Sequence, residues 1–189
     1  MPSILLTAPA VEPLSLAEAK AFLRVEHGDD DDVIAALIAG ARLYVEGQTR
    51  RALVTQTWRL VRDAWPQRGR IGVRPAPLRT LDAVRVYDSA TTAQAVDVAA
   101  FVVDAAGGSL TFAPWALPHP LRSAAGIELD VTCGYGDAAT DVPEPLRQAI
   151  RLIVAQWYEH RGVTEPGASV MSLPLTVPAL IASYRMVSL

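Results

Sequence analysis

Asp32-Val-Ile-Ala-Ala-Leu-Ile-Ala-Gly-Ala-Arg-Leu-Tyr-Val-Glu46 is the stretch that decides the fold. Apolar residues recur at Val33, Ile34, Leu37, Ile38, Ala41, Tyr44 and Val45, the spacing of a helix with one buried stripe. The pattern predicts a helix from about Asp31 to Arg50, roughly 30 Å long. The acidic run from Asp29 to Asp32 suits its positive end, with one Asp as N-cap. Arg42, Glu46, Arg50 and Arg51 fall off the stripe or beyond its end.

Just upstream, Ser15 and Glu18 have the spacing of a capping box. Leu16, Ala19, Phe22 and Leu23 share one face, so a short helix runs to about Val25 or Glu26 and breaks at His27-Gly28. Residues 1–14 carry prolines at both ends and read as extended. At the far end, Pro143 and Pro145 frame a third helix. Its stripe is Leu146, Ile150, Ile153, Val154, Trp157 and Tyr158, and Gly162 ends it. From Val163 onward Pro, Gly and Ser recur and periodicity fades, with room for one or two helical turns at Pro178–Met186.

Between these helices the period falls to two. Thr55–Arg62, Arg70–Arg74, Leu81–Tyr87, Val96–Val103, Ser109–Phe112 and Gly126–Gly134 read as strands. Asp104-Ala-Ala-Gly-Gly108 is a hairpin turn, and Ile127, Leu129, Val131 and Cys133 occupy one strand face. Short strands with regular turns suggest a small barrel or sandwich. The expected class is α+β: a small bundle of three main helices, an inserted antiparallel β subdomain and an extended C-terminal tail. The corresponding divisions are a helical part at 1–54, the β insertion at 55–137, the completing helix at 138–162 and a docking tail at 163–189.

The 189 residues suffice for a sizeable core, and 51% hydrophobic against 20% charged residues is a folding composition. The formal charge of −3 argues against tight phosphate binding. Cys133 is the single cysteine, which excludes an internal disulfide and fits a reducing compartment. The opening MPSILLTAPAVEP lacks the basic segment of a signal peptide, and no apolar run reaches membrane-spanning length, so a soluble protein made inside the cell is expected.

Motifs for chemistry are sparse. His27, His119 and His160 lack metal-ligand spacing, and Cys133 has no CxxC partner. Gly134-Tyr-Gly136 follows a strand but does not continue into a phosphate loop. No cofactor is expected. Two readings stay open beside a structural role. One is a small enzyme with an acidic site in the β block, using Asp97, Asp104 and Glu128. The other is a nucleic-acid module on its arginine face, formed by Arg59, Arg62, Arg68, Arg70, Arg74, Arg79 and Arg85.

Taken in order, the short helix, acidic break, long helix ending near Thr49-Arg-Arg51 and Trp58 strand resemble the head–tail connector proteins of long-tailed phages. Leu14 to Ile34 is similar to that family's opening, Val142 to Arg161 to its last long helix, and Leu173-Pro174 through Tyr184-Arg185 to its tail. The variant with a β insertion, found in prophages and gene transfer agents, fits best. The resemblance implies a twelve-fold homo-oligomeric ring beneath the portal of a phage-like particle. The ring would link capsid to stopper or tail proteins, let DNA pass, touch no membrane, and be assembled in the bacterial cytoplasm before taking its place at the head–tail junction. It implies portal docking through Leu173, Pro174, Leu175, Val177, Leu180, Ile181, Tyr184, Arg185 and Met186. For contacts between copies the charged candidates are Asp31, Asp32, Arg42, Glu46, Arg50, Arg147 and Arg151.

Overall fold

The change of period at Thr55 is also a change of unit. In the computed structural model, residues 3–88, 92–160 and 174–186 are described. The chain divides into one compact unit of residues 1–9 and 55–134 and another of residues 10–54 and 135–189. The α+β class holds.

The first unit is built from β1 (Ser3–Thr7), β2 (Gln56–Arg62), β3 (Arg70–Gly72), β4 (Leu78–Tyr87), β5 (Ala93–Val96), β6 (Phe101–Asp104), β7 (Ser109–Phe112) and β8 (Ile127–Cys133). All pairings are antiparallel, in a five-stranded sheet of order β1-β2-β8-β4-β5 and a three-stranded sheet of order β3-β7-β6. Register explains the core. Leu60 and Val84 both stand opposite Leu129, so the apolar positions of three strands meet on one face and are buried. The other face carries Arg59 opposite Asp130 and Arg85 opposite Glu128. Trp65, Phe101 and Phe112 form a separate aromatic cluster, with ring centroids 5.0–5.8 Å apart.

Two details depart from the sequence reading. Ser3–Thr7, read only as extended, is an edge strand on β2, with a bulge between Leu5 and Thr7. Val96–Val103, read as one strand, is cut by a 3₁₀ turn at Val98–Ala100, where the Asp97 carboxylate accepts from the Ala99 amide at 2.9 Å. The predicted hairpin turn is present. Asp104 accepts from the Gly107 amide at 2.8 Å, and Gly108 takes a φ of +60°.

The second unit holds α1 (Leu16–Leu23), α2 (Asp31–Thr49), α3 (Glu144–Glu159) and α4 (Thr176–Ala182). The capping box closes as expected: the Ser15 hydroxyl accepts from the Glu18 amide, and Glu18 accepts from the Ser15 amide at 3.0 Å. Arg24 and Arg50 take the left-handed conformation at the ends of α1 and α2. Asp30 stands at the N-cap of α2 without a side-chain cap bond, and its carboxylate instead accepts from the Tyr158 hydroxyl at 2.6 Å. Leu14, Ile34, Ile38, Val45, Leu146, Ile150 and Ile153 are among the fully buried residues of the helical core. Val33, read into the stripe of α2, is 42% exposed. Trp157 and Tyr158 are half-buried against the core.

Candidate partner-binding surface

The predicted docking tail divides by burial. Leu173 lies outside the described residues. Val177 and Ile181, one turn apart on α4, are almost wholly buried and belong to the core of the helical unit. Leu180 and Tyr184 pack against that core, and Pro174 and Met186 are half-buried. Backbone and side-chain bonds hold the segment. The Met186 amide donates to Thr49 O at 3.3 Å, Arg51 Nε to Tyr184 O at 2.7 Å, and Arg185 Nη2 to Gln48 Oε1 at 2.6 Å. Arg51 also lies over the Tyr135 ring, 5.9 Å from its centroid. What α4 and its flanks present outward is Leu175, 91% exposed, with Pro178, Ala179, Ala182 and Arg185.

The charged candidates for contacts between copies are largely engaged within the unit. Arg42 pairs with Glu12 at 2.8 Å and with Glu46 at 2.9 Å, and Glu46 also accepts from the Leu53 amide at 2.9 Å. Burial opposes the charge of Arg42, but its hydrogen bond to Glu12 and the field of both carboxylates outweigh it and raise its pKa. Arg147 donates to Pro13 O, Glu144 and Glu18, while Arg151 bonds Glu144. Lys20 pairs with Asp31 at 2.5 Å. Asp32 and Arg50 stay exposed.

In the β unit the acidic residues of the enzyme reading do not converge. Asp97 caps the 3₁₀ turn, and Asp104 shapes the hairpin and lies 3.6 Å from Arg70. Glu128 stands in a row with Arg59 at 3.3 Å and Arg85 at 3.9 Å. The same two arginines hold Asp130 at 2.7 Å each, and they lower its pKa even though burial pushes it the other way. Arg62 donates to Val61 O at 2.8 Å, and Arg79 to the Thr55 hydroxyl. Burial pushes the Cys133 thiol up to about 12, with Asp82 adding to the shift, so this thiol is not a ready nucleophile. Among the described residues no group of three His, Cys, Asp or Glu side chains is placed to hold a metal ion, and no helix is long and apolar enough to cross a membrane.

Sequence reasoning missed the Arg42–Glu12 pair and the Arg59–Asp130–Arg85 ladder. Both join residues far apart in the chain, and only strand register or helix packing brings them together.

The family profile described as phage gp6-like head-tail connector protein matches residues 13–77, which take in α1, α2, β2 and β3. No curated protein matches the chain. Among solved structures, a chain in the neck of an empty gene transfer agent particle, computed with C6 symmetry, is 30% identical over 100% of this chain and 97% of its own, with a TM-score of 0.82. A chain in the virion of a native gene transfer agent particle is 29% identical over the same shares, with a TM-score of 0.83. A third, in the neck of a native particle computed with C12 symmetry, is 29% identical over the same shares, with a TM-score of 0.78. A likeness that runs through both units and almost the whole length of chains built into particle necks, joined to the family match over the opening helices, means that this chain belongs to the phage gp6-like head–tail connector family, the structural adaptors of phage-like particles.

Proposed function

We propose that the protein forms a ring of twelve copies at the head–tail junction, beneath the portal, joining the capsid to the stopper or tail proteins and leaving a central path for DNA. The observation that carries this reading is the whole-length likeness, at 30% identity, to a chain in a gene transfer agent neck. The side-chain chemistry supports a structural rather than a catalytic role. In the helical unit Glu18, Arg42 and Glu144, whose pKa values are shifted, serve ion pairs, of which Glu18–Arg147 ties α1 to α3, and the Cys133 thiol of the β unit is buried. Assembly in the bacterial cytoplasm, before the particle is complete, follows from the same reading.

Portal attachment is assigned to the outward side of the tail helix, with Leu175 and Arg185 as contact residues and Val177, Ile181 and Tyr184 as the residues that seat it. A leucine 91% exposed loses nothing in the free chain when replaced, but it loses apolar burial at an interface. Particles made without this protein should fill but fail to join tails. Particles carrying Leu175→Glu together with Arg185→Glu should show the same defect while the purified variant keeps its fold. Normal tailed, sealed particles in the absence of the protein would overturn the adaptor role. Normal tailing with the double variant would overturn only the tail assignment.

A further inference from the structure

The long helix α2 is apolar on two opposite sides. Ile34, Ile38, Ala41 and Val45 face the core. Val33, Ala36, Gly40, Leu43 and Gly47 follow alternating steps of three and four residues, and at 100° per residue they point the other way. Along this outer stripe Val33 is 42% exposed and Leu43 is 59% exposed, with Ala36 and Gly47 exposed beside them. Gly40 is flanked by Trp157, whose Cζ3 would lie 3.3 Å from an added Cβ. Between Val33 and Gly47 no charged residue falls on the stripe. The only charged residues of α2 beyond its first turn, Arg42 and Glu46, lie off it and pair with each other. A helix face in water is normally polar, and a helix apolar all round is covered all round.

We infer that this outer stripe of α2 is the contact between neighbouring copies in the ring, and that it seats on the groove beside α1 of the next copy. The inference rests on the ring of the proposed function. A closed ring of one chain needs two different patches that fit each other, because each copy meets one neighbour with one side and the other neighbour with the opposite side. The helical unit carries both. The second is a groove of about 600 Å³ whose exposed lining is mostly apolar, with Val11, Leu14, Leu16 and Ile38 in it and Glu12 and Asp137 beside them. Leu14 and Ile38 are buried in its floor, and Val11, 45% exposed, stands at its rim. Of the charged candidates, Arg42, Glu46, Arg147 and Arg151 already have partners inside the unit, and the exposed Asp32 and Arg50 stand at the two ends of α2, which leaves the apolar stripe between them.

The test uses the full chain and portal-bearing particles. Leu43→Glu and Ala36→Glu should keep the circular dichroism and melting temperature of the wild type, since both positions are exposed, yet ring occupancy on the particles should fall about tenfold or more. Leu43→Cys with Val11→Cys should give a ladder of disulfide-linked multimers under oxidation on the particles, and neither single variant should give one. Normal rings from both glutamate variants would overturn the inference while leaving the adaptor role standing. Dimers linked by Cys at position 43 alone would also overturn it, by showing a two-fold contact. Wild-type chain that forms no ring on portal-bearing particles would instead remove the ring on which the inference rests.

Discussion

Arg147 shows how much of this molecule depends on single side chains. One guanidinium donates to Pro13 O at 2.9 Å, to Glu144 at 3.0 Å and to Glu18, so it fastens the chain before α1 to the first turn of α3. Glu18 is held below the usual carboxylate range by the Ser15 amide first and by the Ser15 hydroxyl and Arg147 after it. Glu144 is held low by Arg151 and then Arg147. Because the folded pKa values lie below the unfolded ones, this stability is present above an ordinary value of 4.5 and is lost as pH falls through the folded values. Urea midpoints should therefore drop from pH 7 toward about pH 3, and Arg147→Ala should both cost about 1–2 kcal/mol at pH 7 and flatten that acid loss. An unchanged acid slope in the variant would show that other carboxylates set it. Cys133 gives a second check at this scale. Burial at the end of β8 pushes its thiol up to about 12, so a thiol reagent at pH 8 should label it only as fast as the β unit opens. Rapid labelling of the native chain would contradict the buried position.

Elements were legible where a local pattern specified them. The capping box at Ser15–Glu18, the stripe of α2 and the alternation of β8 were readable because propensity, periodicity and turn chemistry agreed within a few residues. Ser3–Thr7 was not, because its five residues do not alternate and its pairing with β2 spans about fifty residues of chain. Val33 was placed on the wrong side of α2 for a related reason. Apolar residues on both faces leave periodicity unable to say which one is buried. Of the expected docking tail, the apolar composition was plain, but composition could not separate the residues that seat α4 from those it leaves exposed. Ile181→Ala tests that division. It should lower stability by about 2–4 kcal/mol through the cavity it leaves, whereas Leu175→Ala should change stability by less than about 0.5 kcal/mol. Equal, small effects would mean that α4 is not held by its core contacts. The same division makes a deletion of the tail a poor probe of the proposed portal binding, since it removes the core residues Val177 and Ile181 along with the exposed ones.

The charge of the whole molecule bears on what a neck protein must not do. In the proposed ring, a chain around a DNA path would gain nothing from gripping phosphates, because every neutralised phosphate would add counterion release to the cost of moving on. The formal charge is −3, and the arginines that look available in the sequence of the β block are partly occupied in the fold. Arg59 and Arg85 are locked to Asp130 and Glu128, Arg70 leans toward Asp104, and Arg62 is partly buried, with its pKa lowered by that burial. A binding surface for duplex DNA would need several unpaired cations on one face, and the ion-pair ladder removes the two at the sheet centre. The purified chain should therefore fail to retain a duplex of about 25 base pairs at about 0.15 M salt, and any binding at low salt should vanish with a shallow dependence, equivalent to one or two phosphates. Filter binding across a salt series measures this directly. Micromolar affinity with a slope equivalent to six or more phosphates would make the arginine face a nucleic-acid site and would count against the proposed central path for DNA. Asp130→Asn sharpens the comparison. It frees a share of the Arg59 and Arg85 charge, so it should raise low-salt DNA retention while costing the β unit about 3 kcal/mol. A variant that unfolds can be read instead through Glu128→Gln, which removes one negative charge from the same row at lower cost to the core.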